Sequence, residues 1–170
     1  NNYLNIVTWQ NTSQINGMIN GGNNVYIVNP NGVIMGKDAD VNVGNFYAST
    51  RYINPETVAL SNIADASKVL TNTTNTVAAD VVNLGAINAN QVIVEGQNVR
   101  FLDSGNVKNS AGTMLNTNVT ARANGYIHIG NDTGIDAQYT GSTLIGGSNL
   151  PVYYKLINSM NSVTSSGNYM

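Results

Sequence analysis

Apolar side chains in this chain recur at every second position within short runs. Val25 and Ile27, Val33 and Met35, and Val41 and Val43 each straddle one intervening residue, which places each pair on one face of an extended strand. Corners rich in Asn, Gly and Pro separate the runs. At Asn29-Pro30-Asn31-Gly32, Pro30 presets φ, Asn31 tolerates unusual backbone angles and Gly32 permits positive φ. Gly36-Lys37-Asp38-Ala39 forms the next corner. Asn31-Gly32 suits a two-residue hairpin; a chain that bends less sharply at each corner would instead stack its strands in parallel as a coil. The local pattern leaves both open.

The same rhythm fills most of the chain. Residues 3–10 read as a first strand, with Trp9 as a core filler or end cap. Residues 14–19 read as a second, closed by the turn Gly21-Gly22-Asn23-Asn24. From Val81 the runs resume at 81–84, 85–89, 92–94 and 99–102, with turns expected at Asn90-Gln91, Glu95-Gly96 and Asp103-Ser104-Gly105. Shorter runs follow at 113–116, 119–122, 126–129, 135–137 and 143–145. Strands this short and regularly spaced suit a sandwich, a barrel or a solenoid. The imperfect recurrence of Gly-x-Ile/Val-x-Ala/Asn units favours a solenoid of about 20–25 residues per coil, in about six or seven coils.

Two stretches break the rhythm. Residues 51–80 settle on no single period; Asn54 reads as a helix N-cap with Pro55 at the first helical position. An excursion from the coil is expected near 51–80, with a short helical piece and an exposed hairpin around Thr71–Thr76. Near 151–163, Pro151 followed by Tyr154, Ile157 and Met160 at i, i+3 spacing predicts one short amphipathic helix.

Composition narrows the class. Only 9% of the 170 residues are charged, against about 25% in ordinary globular domains. Asn takes much of their place, with 30 residues, and stacked Asn side chains form amide ladders along a parallel stack. With 42% hydrophobic residues and a net charge of −2, the chain lacks the signature of disorder. Seven scattered Lys and Arg make nucleic acid an unfit partner. Zero cysteines exclude disulfides and thiolate metal sites, and no apolar run is long enough for a membrane-spanning segment.

Specific residues carry a resemblance. Asn29-Pro30-Asn31-Gly32-Val33, then Gly36, then Val41-Asn42-Val43-Gly44 and Ala48-Ser49-Thr50, together resemble the haemagglutination-activity domain. That is the secretion domain of two-partner-secreted exoproteins such as filamentous haemagglutinin and high-molecular-weight adhesins. Leu4-Asn5-Ile6-Val7 and Ser13–Ile19 fit as well; the match is specific over 4–50 and looser over 81–112. The resemblance implies an all-β, right-handed parallel β-helix (β-solenoid) and a secreted or cell-surface location. It implies an outer-membrane β-barrel transporter as partner, and a turn element of Asn29, Pro30, Asn31, Gly32, Gly36, Asn42 and Gly44 that the transporter engages. On this reading residues 1–145 are the secretion domain, lacking its N-terminal part, and 146–170 are a linker and the start of a following repeat module.

Candidate chemistry is sparse. His128 is the only histidine and alternates with Ile127 and Ile129 on a strand, so a triad or metal site lacks partners. Asp38 with Asp40, and Asp132 with Asp136, are the closest acids and read as turn caps. No cofactor, no metal site and no enzymatic activity are expected. The sequons at Asn11, Asn72, Asn118 and Asn131 match chance in so Asn- and Thr-rich a chain. The alternatives to a secretion domain are an adhesin module and the carrier domain of a contact-dependent toxin. In the adhesin reading, Tyr47, Tyr52, Tyr126 and Tyr139 face host glycans or proteins.

Overall fold

The structure is a computed structural model that describes residues 1–70, 77, 79–101, 106–108, 118–129, 137–140, 143–145, 154–157 and 161–165. The chain winds into a parallel β-helix with three sheets running along its length. The first turn of the coil contributes β1 (Asn2–Ile6), β2 (Ser13–Ile15) and β3 (Met18–Asn20). The second contributes β4 (Asn24–Val28), β5 (Val33–Met35) and β6 (Asp40–Asn42). The third contains β7 (Asn45–Ser49), β8 (Val81–Asn83) and β9 (Ala86–Asn88), and the fourth β10 (Gln91–Gly96), β11 (Val99–Phe101) and β12 (Asn106–Lys108). A fifth begins with β13 (Asn118–Ala123) and β14 (Tyr126–Ile129).

Parallel pairing follows this winding: β1, β4, β7, β10 and β13 form the first sheet, β2, β5, β8, β11 and β14 the second, and β3, β6, β9 and β12 the third. In the first sheet, equivalent residues stand 22 apart between the first two coils and 21 apart between the next two. Parallel strands stack five deep among the described residues, short of the six or seven coils expected. The shortfall has two causes: residues 51–70 leave the coil, and the last described strands turn antiparallel. There β15 (Ala137–Thr140) and β16 (Thr143–Ile145) extend the second sheet, while β17 (Tyr154–Ile157) and β18 (Asn161–Ser165) extend the first through β13.

Those last strands correct the helix expected near 151–163. Tyr154 and Leu156 alternate as well as Tyr154 and Ile157 recur, so a short window fits both periods. β18 pairs with β13 and β17 with β18, a tertiary ladder that wins over a short isolated helix of marginal stability.

Alternation is read correctly inside the coil. Val25, Ile27, Val33, Met35, Val41 and Val43 all point into one continuous core, with Phe46, Ala48, Val81, Ile87, Val92, Val94, Val99 and Ile127. Parallel register stacks like on like: Val25 beside Phe46 beside Val92, and Ile27 beside Ala48 beside Val94. The Asn29–Gly32 segment is a corner, because β4 and β5 belong to different sheets.

The first sheet is buried on its outer face too. Tyr26, Val28, Tyr47 and Ile93 point outward, yet they pack with Val69 and Leu70 and with the partly buried Ile53, Ile63 and Ala66. The excursion is therefore a second wall. It carries two 3-10 turns, Pro55–Thr57 and Leu60–Asn62, and one short helix, α1 (Ala66–Val69). Asn54 caps the first turn as expected, its side chain accepting from the Glu56 amide. Asp65 caps α1 in the same way. An antiparallel bridge between Arg51 and Val77 closes the base of the excursion. The hairpin expected at 71–76 lies outside the described residues.

Candidate functional site

The corner at Asn29 builds upward from one side chain. Pro30 removes a donor and fixes φ, so the corner depends on Asn29 and Asn31 for its bonds. The Asn29 side chain is completely buried. Its Oδ1 accepts from the Asn31 amide at 2.9 Å and from Asn31 Nδ2 at 3.0 Å. Its Nδ2 donates to the Asn11 carbonyl at 2.7 Å and to Ser13 Oγ at 2.9 Å. Both lone-pair sites and both N–H groups of the amide are thus used.

The rest of the corner fastens neighbouring coils. The Gly32 amide donates to the Asn29 carbonyl at 3.0 Å, and the Gly32 carbonyl accepts from the Ser13 amide at 3.0 Å. Thr12 Oγ1 donates to the Asn31 carbonyl at 2.9 Å, and Asn31 Nδ2 donates to the Trp9 carbonyl. On the other side, the Val33 amide donates to the Asp80 carbonyl at 3.1 Å. Gly32 sits at φ +117°, a region that penalises any Cβ. This corner holds the first coil to the second and touches the third.

The remaining predicted site residues lie elsewhere on the same coil. Gly36 begins the next corner, its carbonyl accepting from the Ala39 amide at 3.0 Å. Gly44 passes so close to the first coil that a Cβ there would stand 2.5 Å from the Asn23 carbonyl oxygen. Asn42 is the middle rung of an amide ladder on the third sheet: Asn42 Nδ2 donates to Asn20 Oδ1 at 2.9 Å, and Asn88 Nδ2 to Asn42 Oδ1 at 2.6 Å. The expected stacking of Asn is present, but it separates Asn42 from the Asn29–Gly32 corner. Asn29, Pro30, Asn31 and Gly32 form one constellation; Gly36, Asn42 and Gly44 shape the coil around it.

Sequence reading missed a second cluster, beneath the excursion. Glu95 was expected in a turn; it lies in β10 and is wholly buried. Register puts it beside Ser49 on one side and Arg122 on the other. Glu95 accepts from Arg51 Nε at 2.8 Å, Arg51 Nη2 at 3.1 Å and Ser49 Oγ at 2.5 Å. Arg122 Nη1 stands 3.6 Å from Glu95 Oε2. Two guanidinium groups and a hydroxyl hold one carboxylate in a site that would otherwise be prohibitive for it. The available signal was a lone acid closing the apolar run Val92-Ile93-Val94.

Aromatic expectations also change. Tyr47, expected at a ligand-facing surface, is buried and stacks on Tyr26 with ring centroids 4.5 Å apart. Burial raises both hydroxyls above the ordinary tyrosine value, and each also feels the Asp65 carboxylate. Tyr52 is exposed as expected, while Trp9, expected to fill a core or cap an end, is 81% exposed. Tyr126 and His128 lie in β14 and Tyr139 in β15, with their side chains outside what the structure describes. Among the described residues, no three His, Cys, Asp or Glu side chains converge as a metal site. No helix among them is long and apolar enough to cross a membrane.

Comparison with known proteins agrees with the coil. A family model described as the TPS secretion domain matches residues 1–169. Among curated proteins, the heme/hemopexin-binding protein of Haemophilus influenzae is 45% identical over 47 residues, 28% of this chain. The matched segment is only 5% of that protein's length. No solved structure matches the chain. Proteins carrying this domain are secreted across the outer membrane to the cell surface or released, and the chain belongs to the TPS secretion domain family.

Proposed function

We propose that the chain directs export of its parent protein by presenting the Asn29–Gly32 corner, with Gly36, Asn42 and Gly44 shaping the coil around it, to a cognate outer-membrane β-barrel transporter. It then folds into the β-helix at the cell surface and performs no catalysis. One observation supports this reading above others: a buried Asn29 amide uses all its hydrogen-bonding capacity, its oxygen closing the corner on Asn31 and its nitrogen fastening the corner to the first coil. The Asn29-Pro30-Asn31-Gly32 turn is local in sequence and so available to the transporter before the coils stack; its bonds to Asn11 and Ser13 form only as the first coils meet. Folding outside the membrane would then oppose retreat of the chain.

The test is export of the parent protein with Asn29 and Asn31 both changed to Ala, beside a strain lacking the transporter. Loss of export in both, with a native β-sheet circular dichroism spectrum for the purified variant, supports recognition through the corner. Normal export of the variant reduces the corner to a structural bend.

A second reading, a glycan-binding adhesin module, is favoured by the polar groove between α1 and the outer face of the first sheet.

A further inference from the structure

That groove has a volume of about 540 Å³, in the range that holds small ligands. One wall is the outer face of the first sheet, where Asn45 and Gln91 occupy successive rungs of one column. The opposite wall is α1 with the residues leading into it, including Ala64 and Ser67. Arg122 completes the lining from the neighbouring strand. The sheet and the α1 segment are joined directly, since Asn24 Nδ2 donates to the Ala64 carbonyl at 3.0 Å.

Two features specify a ligand. Amide and hydroxyl groups dominate the lining; with Asn45 Nδ2 donating to Asn24 Oδ1 at 2.7 Å and the Tyr47 hydroxyl to Gln91 Oε1 at 3.4 Å, Asn45 Oδ1 remains as an acceptor and Gln91 Nε2 as a donor. That combination suits a molecule with several hydroxyl groups rather than an apolar one. The Tyr47 ring is only 3% exposed, so hydrogen bonds rather than ring stacking would hold the ligand.

The second feature is charge. Glu95 is already engaged by Arg51 and Ser49, and Arg122 is the second cation beside this single carboxylate. Arg122 Nη1 is a buried donor without a hydrogen-bond partner; at 3.6 Å it gains only ion-pair attraction from Glu95. The guanidinium thus carries charge that Glu95 only partly offsets, and the 15% of the Arg122 side chain that stays exposed brings that charge to the groove, where it favours an anionic acceptor. The acid that lines the groove, Asp65, lies on the α1 wall and accepts from the Ser67 amide and Ser67 Oγ. It disfavours an anion on its own side and so orients one toward Arg122.

We propose that this groove binds a short saccharide bearing a carboxylate, of the uronic-acid type, with the carboxylate on Arg122 and the hydroxyls on the Asn45 and Gln91 amides. The proposal deepens the binding-module reading and is independent of the transporter reading.

Calorimetric titration of the 170-residue chain with trigalacturonate, and with its methyl ester as the uncharged match, tests it. Saturable binding at about 1 mM or tighter is expected, with the ester at least about tenfold weaker because a charge-assisted bond is lost. Arg122→Gln is expected to weaken trigalacturonate binding by a similar factor. Ala64→Trp, an exposed position on the groove wall, is expected to abolish binding while the circular dichroism spectrum stays native. If Arg122→Gln does not fold, Ala64→Trp and the ester decide the matter. Absence of binding at about 10 mM, equal binding of the ester, or binding unchanged by Ala64→Trp overturns the site. Export of the Ala64→Trp parent should be normal, so failure of the groove and failure of the transporter reading remain distinguishable.

Discussion

The two faces of the first sheet are both buried, and they are buried in different ways. The inner face is Val25, Ile27, Phe46, Ala48, Val92 and Val94, closed over by the coil itself. The outer face carries Tyr26, Val28, Tyr47, Ser49, Ile93 and Glu95 on the same three strands, covered by residues 51–70. The inside needs only apolar side chains of suitable size, because neighbouring coils supply identical surroundings. The outside mixes aromatic, aliphatic and charged groups, because its cover is one irregular segment used once.

Substitutions sharpen that contrast, and the inner face should give the largest effect. Phe46 is wholly buried in the closed core, so Phe46→Ala should cost about 3–5 kcal/mol, read as a lower urea midpoint. On the outer face, Glu95→Ala leaves two guanidinium groups facing each other beneath the excursion. A loss of about 3 kcal/mol is expected, since Arg51 and Arg122 keep slight solvent contact; a change under about 0.5 kcal/mol would show that the cluster adds nothing.

Tyr26→Phe should act in the opposite direction. The Tyr26 hydroxyl is buried without a hydrogen-bond partner, so removing it should stabilise the chain by about 1 kcal/mol. The same burial has a consequence for pH. Because the folded-state pKa values of Tyr26 and Tyr47 are raised, their contribution is fully present below about pH 10. It is lost as pH rises from there toward the folded-state values. Melting temperature should therefore fall above pH 10, and less steeply in Tyr47→Phe.

The smallest effect belongs to the third sheet. Asn42→Ala removes the middle rung between Asn20 and Asn88 on a partly exposed ladder, so about 0.5–1 kcal/mol is expected by chemical denaturation.

The contrast also marks where sequence reading succeeds. Val25, Ile27, Val33 and Met35 were legible because alternation alone decides which side faces a closed core. Asn54 was legible because a cap acts on amides two or three residues away. Tyr47 and Glu95 were not legible, since their burial depends on Val69, Leu70, Arg51 and Arg122, which register and the excursion bring together. A strand buried on both faces carries no alternation to read. The Asn29–Gly32 corner was visible as a turn, but its bonds to Asn11 and Ser13 follow only from stacking of the coils.

The central claim is that residues 51–70 are the second wall of the first sheet. The direct measurement replaces residues 53–70 with a short Gly-Ser linker and follows the β-sheet spectrum, hydrophobic-dye binding and thermal midpoint together. The account predicts a retained sheet spectrum, new dye binding at the uncovered Tyr26–Tyr47–Ile93 face and a lowered midpoint. An unchanged midpoint with no dye binding would contradict it.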